Sequence, residues 1–497
     1  MIPLTMMPIL LAETVTPKLS LAYLISLLVI AVVLLLVLIL KLRMQAFLAL
    51  ILASLFVAVG SSKELTGGAG KLELASIGDH IQNSMGSSLG FIASIIGLGA
   101  IFGALLENSG GAQSLARSLI RLFGDKRAPW AMVLTGFIIS IPVFLDVALV
   151  ILAPIIYALS RRTGKSILTY GLPLLAGLMV THAFVPPTPG PVWVAYELGV
   201  GLGWVIVLGC LVGLPTAIIG GIVVPRGMAD RLYIAPPELL DDSVIVDENA
   251  LPSFASVLAL IGLPIAMILL GTIVKEYMAW DLAAGLTRDE YAGAIASKIA
   301  EAGIATKLLT FFGHPIIALV TATVTALVFL GYARGYDKSQ LMEVTTRSLG
   351  PAGVIILITG AGGVFKGIMG ESGVSDALRD LCQGWGLNIL MLAYLFALFV
   401  RLAQGSATVA MVTAAGLMSS MTDGLSQPRL ALVVLAISAG ASAVSHVNDS
   451  GFWMVSRYLL MTEKQTFSTW TVISTVVSIV GFLLTLGLWY LLPFMGL

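Results

Sequence analysis

Ionisable side chains within long apolar runs are the residues of this sequence whose types and positions could do chemistry. A charged group costs free energy at the centre of a bilayer, so such residues are candidates for substrate, ion or proton sites. In this sequence they are Asp146, His182, Lys366, Arg401, His446 and Asp449, with Glu107 and Glu371 near the ends of apolar runs. Histidine and buried aspartate can change protonation near neutral pH, so these types favour binding of a charged small molecule and proton coupling.

Helix interruptions accompany these residues. The stretch 181–191 has four prolines between two apolar runs, and proline lacks an N–H and clashes with the preceding turn. Irregular backbone at membrane depth is tolerated only inside protein or beside a water-filled cavity. Other polar or helix-breaking stretches occur at 140–146, 401–408 and 445–451. Free N–H groups at the helix ends in these stretches predict a site for a small, oxygen-rich anion.

The predicted substrate site draws its residues from these stretches. Arg401 is the predicted partner of a substrate carboxylate, because a guanidinium can donate two parallel hydrogen bonds to it. The alternative is an arginine that extends toward the membrane surface, and the Ser, Thr and Gly residues could simply allow close helix packing. The predicted substrate-binding residues are Pro142, Asp146, Thr188, Gly190, Arg401, Gly405, Ser406, Thr408, Asn448, Asp449 and Ser450.

Proton coupling is assigned to acidic and histidine side chains of the same stretches. The candidates are Asp146, His182, His446 and Asp449. Each histidine could instead hold its broken helix by hydrogen bonding, and the aspartates could equally bind Na⁺ with backbone carbonyl groups. Lys366 is expected to extend its amine toward the membrane surface. No metal site or cofactor is predicted, because Cys210 and Cys382 lack metal-ligand spacing.

The composition is that of a polytopic membrane protein. The chain has 497 residues, of which 58% are hydrophobic and 11% charged, and its mean hydropathy is +1.01. Soluble domains have about 25% charged residues. A transmembrane helix needs about 20 apolar residues, which leaves room for roughly ten to fourteen crossings. The net charge of zero gives no reason to expect nucleic acid as a partner.

The positions of Lys and Arg predict the topology of an all-α protein. Lys41 and Arg43 follow the first apolar run, so the positive-inside rule puts that end in the cytoplasm and the N-terminus outside. The rest of the chain then gives about eleven transmembrane helices, two re-entrant hairpins and a C-terminus outside. The hairpins are 130–160 and 388–420, and the interrupted helices are 167–200 and 430–461. One long helix with a proline kink is the alternative for 130–160.

Two halves of opposite topology are predicted from the recurrence of these features. Residues 101–110 align without a gap on residues 364–373 in their most distinctive positions. The halves are 1–223 and 255–497, joined by a cytoplasmic linker 224–254, with an extracytoplasmic segment 275–312 in the second half. Inverted repeats whose interrupted helices meet near the midplane are typical of secondary transporters. An intramembrane enzyme is disfavoured by the lack of an HExxH motif, and a channel is a further alternative.

Four motifs resemble signature segments of the gluconate permease (GntP) family in the ion transporter superfamily. They are PVFLD from Pro142, THAFVPPTPGP from Thr181, GSATVA from Gly405 and SHVNDSGFW from Ser445. The resemblance covers almost the whole chain and implies a bacterial inner-membrane symporter, not an enzyme, that moves gluconate or a related anion with protons. It also implies scaffold and transport domains, an elevator-like motion and a homodimer. D-serine or another small carboxylate, with Na⁺ as the coupling ion, is the alternative within this class.

Overall fold

The structure is a computed structural model that describes residues 19–237, 251–279, 282, 288–377, 380, 388–422 and 424–495. Over these residues the protein is all-α, as the sequence predicts, and its only β-type pairing is one isolated bridge between Ser62 and Leu72. Cys382 and residues 238–250 of the predicted linker 224–254 lie outside the described residues.

The helices follow one another through mostly short connections. In chain order they are α1 (Leu21–Leu36), α2 (Ala46–Gly60), α3 (Ile77–Asn108), α4 (Gly111–Phe123), α5 (Ala128–Ile139), α6 (Leu145–Thr163), α7 (Leu168–Phe184), α8 (Pro189–Leu198), α9 (Leu202–Ile218), α10 (Val224–Arg231), α11 (Phe254–Ala279), α12 (Arg288–Glu301), α13 (Ile304–Phe312), α14 (Pro315–Ala326), α15 (Lys338–Glu371), α16 (Ile389–Gln404), α17 (Ala407–Met418), α18 (Gln427–Ala441), α19 (Ser450–Tyr458), α20 (Glu463–Thr466) and α21 (Val472–Leu491). Short π-helical segments continue α1, α9, α14 and α20.

Many of these helices are long and apolar enough to cross a membrane. In the described part of the chain eight helical segments meet that criterion, and four shorter apolar helices, α2, α16, α17 and α18, accompany them. In the apolar 18-residue stretch of Leu168–Leu198, 89% of the residues are buried inside the protein, against 33% in that of Leu21–Ile39. The multi-pass, all-helical class predicted from composition is therefore confirmed, and Leu168–Leu198 lies at the centre of the helix assembly.

Two helices begin earlier than hydropathy alone predicts. The sequence places crossings from about residues 90 and 352, whereas α3 begins at Ile77 and α15 at Lys338. Asp337 starts α15 with a capping box, in which its side chain accepts from Gln340 N and the Gln340 side chain accepts from Asp337 N. Capping satisfies the free amides of the first turn, so a helix can begin on polar residues well before the apolar run.

The segments predicted as a linker and as an extracytoplasmic loop are largely helical where they are described. The linker 224–254 begins with α10, and the segment 275–312 contains the end of α11, all of α12 and all of α13. α12 covers the alanine-rich middle of the segment 275–312. Which side of the membrane each segment occupies is still a prediction.

Close helix packing holds the interrupted segments in position. α3 lies along α15, α5 along α7 and α16 along α18, while α8 packs against α17 and α18. Gly136 of α5 faces the backbone of α7 at Leu174, and Gly177 of α7 faces the backbone of α5 at Val133, so a Cβ at either glycine would clash. Small residues that let helix backbones approach are typical of helix packing in membranes.

α3 and α15 also end in the same way, as expected if residues 101–110 and 364–373 are equivalent. Each helix is followed by a Ser-Gly pair whose glycine is left-handed, with φ of 76° at Gly110 and 81° at Gly373. Glycine adopts this conformation without a Cβ penalty and commonly ends a helix. The local geometry therefore agrees with the alignment, while the opposite topology of the two halves is still a prediction.

Candidate functional site

The first helix interruption lies between α7 and α8. α7 ends at Phe184 and α8 begins at Pro189, so the helix breaks inside the proline-rich stretch 181–191. Thr188, the residue before α8, donates its hydroxyl to the carbonyl of Val185 at 2.7 Å instead of capping the helix. Because the first and third residues of α8 are prolines, Gly190 supplies the free amide of its first turn. This helix end is therefore a weaker anion site than the sequence predicts.

The turn between α5 and α6 lies beside this interruption. A cleft is lined by the turn residues 140–144, by residues 187–189 and by one face of α3 between Ile95 and Phe102, and it holds ≈ 350 Å³, including its open mouth. Pro142 and Thr188 of the predicted site line the cleft. The carbonyl of Pro142 rests against Gly103 of α3, where a Cβ would clash. α3 thus forms the back wall of this part of the site.

The proton-coupling candidates of the first half have different surroundings. His182 has its Nδ1 buried without a hydrogen-bond partner among the described residues, and its ring meets that of Phe144 edge-on with centroids 6.5 Å apart. Asp146 is exposed and lies outside the residues that line the cleft. The structure therefore brings His182 to the α5–α6 turn, while Asp146, in the first turn of α6, is exposed.

The second interruption is held together by Arg401. Its Nε donates to the carbonyl of Ala443 at 3.1 Å, its Nη1 to the carbonyl of Gly405, and its Nη2 to Oδ2 of Asp449 at 2.5 Å. The two charged side chains are 5% and 13% exposed. Arg401 is thus buried inside the protein and does not extend to a surface, and each guanidinium nitrogen already has a protein acceptor.

Asp449 is equally occupied. Besides the hydrogen bond from Arg401, it accepts one from the hydroxyl of Ser445 and one, at 2.9 Å, from the amide of Gly451. Through the second of these Asp449 caps the N-terminus of α19. Ser445 is tied in turn to the C-terminal part of the chain, because its hydroxyl accepts from Nε1 of Trp470 at 2.8 Å. The Asp449 carboxylate is therefore held by three donors from different parts of the chain. This pair joins the α16–α17 turn to the second interruption.

Unsatisfied polar atoms face this same turn. Gln404, the last residue of α16, is 8% exposed, and within the described part of the chain neither its Oε1 nor its Nε2 has a partner. Asn448 donates from Nδ2 to the carbonyl of Leu402 at 3.1 Å, but its Oδ1 is buried without a partner among the same residues. Buried polar atoms are nearly always hydrogen-bonded, so such exceptions call for an explanation, and a polar ligand supplies one. Sequence reasoning missed Gln404 because an uncharged amide at a helix end gives no signal.

The remaining predicted residues of the second half surround the same turn. Gly405 is left-handed at φ 75° and packs against the backbone of Asn448, so no other residue fits there. Ser406 caps α17 by accepting from Val409 N at 3.3 Å. His446 lies with Nε2 3.1 Å from the carbonyl of Leu402. Thr408 is half-buried and Ser450 is exposed.

The two interruptions approach each other through α17. Gly190, at the start of α8, packs against the sulfur of Met411, one turn into α17. The start of α8 therefore lies beside the first turns of α17, the helix that follows Gly405 and Ser406. Gly190 and the second hairpin are far apart in sequence, and the structure brings them into contact at Met411.

Lys366 has a partner that the sequence did not suggest. Its Nζ lies 2.6 Å from Oε1 of Glu197 in α8, and the Glu197 side chain is 1% exposed. The prediction that Lys366 extends its amine toward the membrane surface is wrong, because the amine pairs with a buried carboxylate. Glu197 was overlooked because it lies near the end of an apolar run, where an acidic residue usually reaches water.

A known protein family and its members match almost the whole chain. The model of a family described as GntP family permease matches residues 23–492. A gluconate permease of Pseudomonas aeruginosa is 36% identical over 478 residues, which are 94% of this chain and 98% of that protein. The Gnt-II system L-idonate transporter of Escherichia coli K12 is 32% identical over 428 residues, which are 86% of this chain and 92% of that protein.

A solved structure shares the overall architecture. The Alcanivorax borkumensis YdaH transporter matches with a TM-score of 0.57 and 13% sequence identity, over 90% of this chain and 97% of that chain. At so low an identity the likeness concerns the fold alone. It supports the arrangement of helices described above and carries no information on which residues bind a ligand.

Proposed function

Because this chain belongs to the GntP family of permeases, and is accordingly a multi-pass membrane transporter, we propose that it imports gluconate or a related sugar-acid or hydroxy-acid anion by proton symport. The relatives described above are named for gluconate and for L-idonate. Both compounds are sugar acids that combine one carboxylate with a chain of hydroxyl groups. This shared chemistry is the substrate class that we propose, with import across a bacterial inner membrane.

The observation that carries the proposal is the unsatisfied polar surface of the α16–α17 turn. A hydroxyl can donate one hydrogen bond and accept two, so a polyhydroxy acid suits a site that offers both donors and acceptors. The Gln404 amide offers both, and the Asn448 Oδ1 offers an acceptor. The N-terminal ends of α17 and α8 add backbone amides for the carboxylate. Arg401 contributes positive potential nearby, although Asp449 neutralises much of it.

Protons are favoured over Na⁺ by the hydrogen bonds that Asp449 already accepts. A sodium site needs several free oxygen ligands, but Asp449 is taken by Arg401, Ser445 and the Gly451 amide. In the described residues no group of three or more His, Cys, Asp or Glu side chains could hold a metal ion. Coupling through a titratable side chain therefore fits this arrangement better than coupling through a bound cation.

Alternating access is proposed to follow an elevator-like motion. In this view the helices that carry the interruptions, α5 to α8 and α16 to α19, move as one unit along the paired helices α3 and α15. Substrate sites between interrupted helices of two repeats are typical of transporters that work in this way. The inverted repeat, the outside position of both termini and a homodimer belong to the same proposal.

Transport by the purified protein in liposomes is the decisive test. We expect saturable uptake of radiolabelled gluconate that is driven by an inward proton gradient and is not increased by a Na⁺ gradient, with protein-free liposomes as the control. Competition by unlabelled aldonates, uronates and D-serine then ranks the substrate class. Inhibition by D-serine but not by aldonates would favour the amino-acid alternative, whereas ohmic current without saturation would contradict a symporter.

A further inference from the structure

Glu197 is one of two charged side chains in the buried class within the described part of the chain, the other being Arg401. It lies on α8 inside the apolar segment Leu168–Leu198, about 12 Å along the helix from its first residue. Burying a carboxylate inside a membrane protein is costly, so ionisable groups kept there commonly belong to ion or proton pathways. The proposed transport site does not use Glu197, which leaves its role open.

The partner of Glu197 comes from a different structural unit. Lys366 on α15 reaches Oε1 of Glu197 at 2.6 Å. The Lys366 side chain is 34% exposed, whereas that of Glu197 is 1% exposed. The lysine side chain is thus partly accessible, whereas the carboxylate with which it pairs is enclosed by protein.

The ion pair lies where two groups of helices meet. One group is α8 and α17, and the other is α3 and α15. One turn before Lys366, Gly362 packs against Val412 of α17 and lies near the Trp193 ring of α8. Tyr196, next to Glu197, donates its hydroxyl to the carbonyl of Ser87 in α3 at 2.9 Å. Among these apolar and neutral contacts the ion pair is the charged connection, so its state affects how strongly the two sides adhere.

The two buried ion pairs differ in their chemistry. Asp449 accepts from the Ser445 hydroxyl and the Gly451 amide as well as from Arg401, and Arg401 donates to two backbone carbonyl groups, so that pair is fixed by a network of hydrogen bonds. Glutamate and lysine can each become neutral when buried, and a carboxylate that loses its cation favours the protonated form. The Arg401–Asp449 pair is therefore suited to holding structure, while the Glu197–Lys366 pair is suited to taking up and releasing a proton.

We propose that Glu197 carries the coupled proton of the transport cycle and that Lys366 is its switch partner. In this structure the carboxylate is ionised and paired. When it takes up one proton from the gradient it becomes a neutral carboxylic acid, the ion pair breaks, and α8 is released from α15. Loss of the proton on the other side re-forms the pair. This inference rests on the proposed proton symport.

Other titratable and charged groups near α8 are few. α17 has none, and those on the other neighbouring helices are Asp79, His80 and Glu107 of α3, Tyr170 and His182 of α7, Cys210 of α9, Lys338, Glu343, Arg347, Lys366 and Glu371 of α15, and Arg429 of α18. Of these, Lys366 is in salt-bridge contact with Glu197. The pH dependence assigned to the pair can thus be separated from that of His182 by mutation.

Two transport assays test the role of Glu197. Substrate exchange reports whether the protein still binds and moves gluconate, and accumulation reports whether that movement is coupled to protons. Glu197→Gln imitates the protonated side chain, so reconstituted protein should exchange internal for external gluconate at close to the wild-type rate. It should nevertheless lose accumulation driven by a proton gradient, and an internal pH dye should no longer report acidification when gluconate is added. Glu343→Gln, which removes an exposed carboxylate of α15, is the matched control and should behave like the wild type.

A folding defect is controlled by removing both charges. Glu197→Gln combined with Lys366→Met leaves no unpaired buried charge, and this double variant should also exchange gluconate without accumulating it. Wild-type accumulation and pH profile in either variant would overturn the assignment, as would loss of exchange in a double variant that is still folded. Absence of gluconate exchange in the wild-type protein would instead overturn the proposed function.

Discussion

At the scale of single residues, hydrogen bonding divides the α16–α17 turn into a framework and an open surface. Arg401 and Asp449 have their polar atoms committed to each other and to the neighbouring backbone. Gln404 and Asn448, a few ångströms along the same turn, retain buried atoms without partners. A ligand can recruit the second set at little cost, whereas recruiting the first requires breaking the ion pair. The first set therefore positions the turn, and the second contacts the substrate.

Arg401→Gln tests the framework role. Removing the guanidinium leaves Asp449 buried without its cation, which typically costs about 3–5 kcal/mol. We expect a clear fall in Tm in detergent, together with weaker gluconate binding. Arg401→Met combined with Asp449→Leu should recover much of the lost Tm. Full thermal stability of Arg401→Gln combined with loss of binding would instead mark Arg401 as a direct substrate counter-ion.

Gln404→Met tests the open surface. The substitution keeps the side-chain length but removes two unsatisfied polar atoms, so Tm should be unchanged or higher. Gluconate affinity should fall by about tenfold, as expected for a hydrogen bond to ligand worth about 1–1.5 kcal/mol. Isothermal titration calorimetry measures this change. Gln113→Met is the matched control, since Gln113 in α4 also has a buried Oε1 without a partner; equal losses in both variants would count against a contact with the substrate.

Some of these residues could be predicted as site candidates from their charge, and others could not. Arg401 and Asp449 stand out in an apolar sequence, yet nothing in the sequence shows that they bind each other, because they are far apart along the chain. Gln404 is neutral and ends a helix, so the hydropathy of the sequence does not mark it as a candidate. Glu197 resembles an acid at a membrane surface, and only the packing of α8 against its neighbours shows that it is buried. Pairing and burial are tertiary properties that single residues do not report.

At the scale of helices and turns, the sequence predicts the structure best where proline or glycine determines the backbone conformation. Proline removes N–H groups and glycine permits left-handed φ, so the interruption after α7 and the turn at Gly405 follow from local sequence. Helix starts were less predictable, because the Asp337 capping box begins α15 before its apolar run. The arms of the second hairpin, α16 and α17, pack together, whereas α5 and α6 pack mainly on α4 and α7. Hydropathy cannot distinguish these two arrangements.

Gly136→Ala tests the close approach of α5 and α7. A Cβ at this position would meet the α7 backbone at Leu174, and backbone cannot move aside as a flexible side chain can. We expect a loss of about 1–3 kcal/mol, seen as lower Tm and less folded protein. Gly350→Ala in α15, where nothing lies within 4 Å, is the matched control and should gain about 0.5–1 kcal/mol. A neutral result at Gly136 would show that the helices can separate without cost.

At the scale of the whole molecule, the contacts suggest two bodies. Interrupted helices and hairpin arms pack on one another, with Gly440 of α18 against Ala397 of α16, while α17 and α8 rest on α15 mainly through Gly362, Lys366 and Trp193. Small residues and a single ion pair make the second contact easier to slide than an interlocked core of large side chains. Neither contact could be derived from sequence, since both join segments from distant parts of the chain.

A disulfide across this second contact tests the motion. A Cβ at Gly362 would lie 3.4 Å from Cβ of Val412, close to the separation of about 3.8 Å that a disulfide requires. With Cys210 and Cys382 replaced by Ser, oxidation of Gly362→Cys with Val412→Cys should stop gluconate uptake while leaving gluconate binding, and a reducing agent should restore uptake. The cause is that α17 can no longer slide along α15 while the turn that binds substrate stays intact.

The controls are the single variants Gly362→Cys and Val412→Cys, each in the background in which Cys210 and Cys382 are replaced by Ser. Neither can form the bond between α15 and α17, so oxidation should leave their uptake unchanged. Uptake that survives oxidation of the double variant would exclude sliding at α15, and an equal loss of uptake in the oxidised single variants would show that the oxidant itself, and not a restrained contact, is the cause. An elevator therefore requires a loss of uptake that depends on both cysteines and is reversed by reduction.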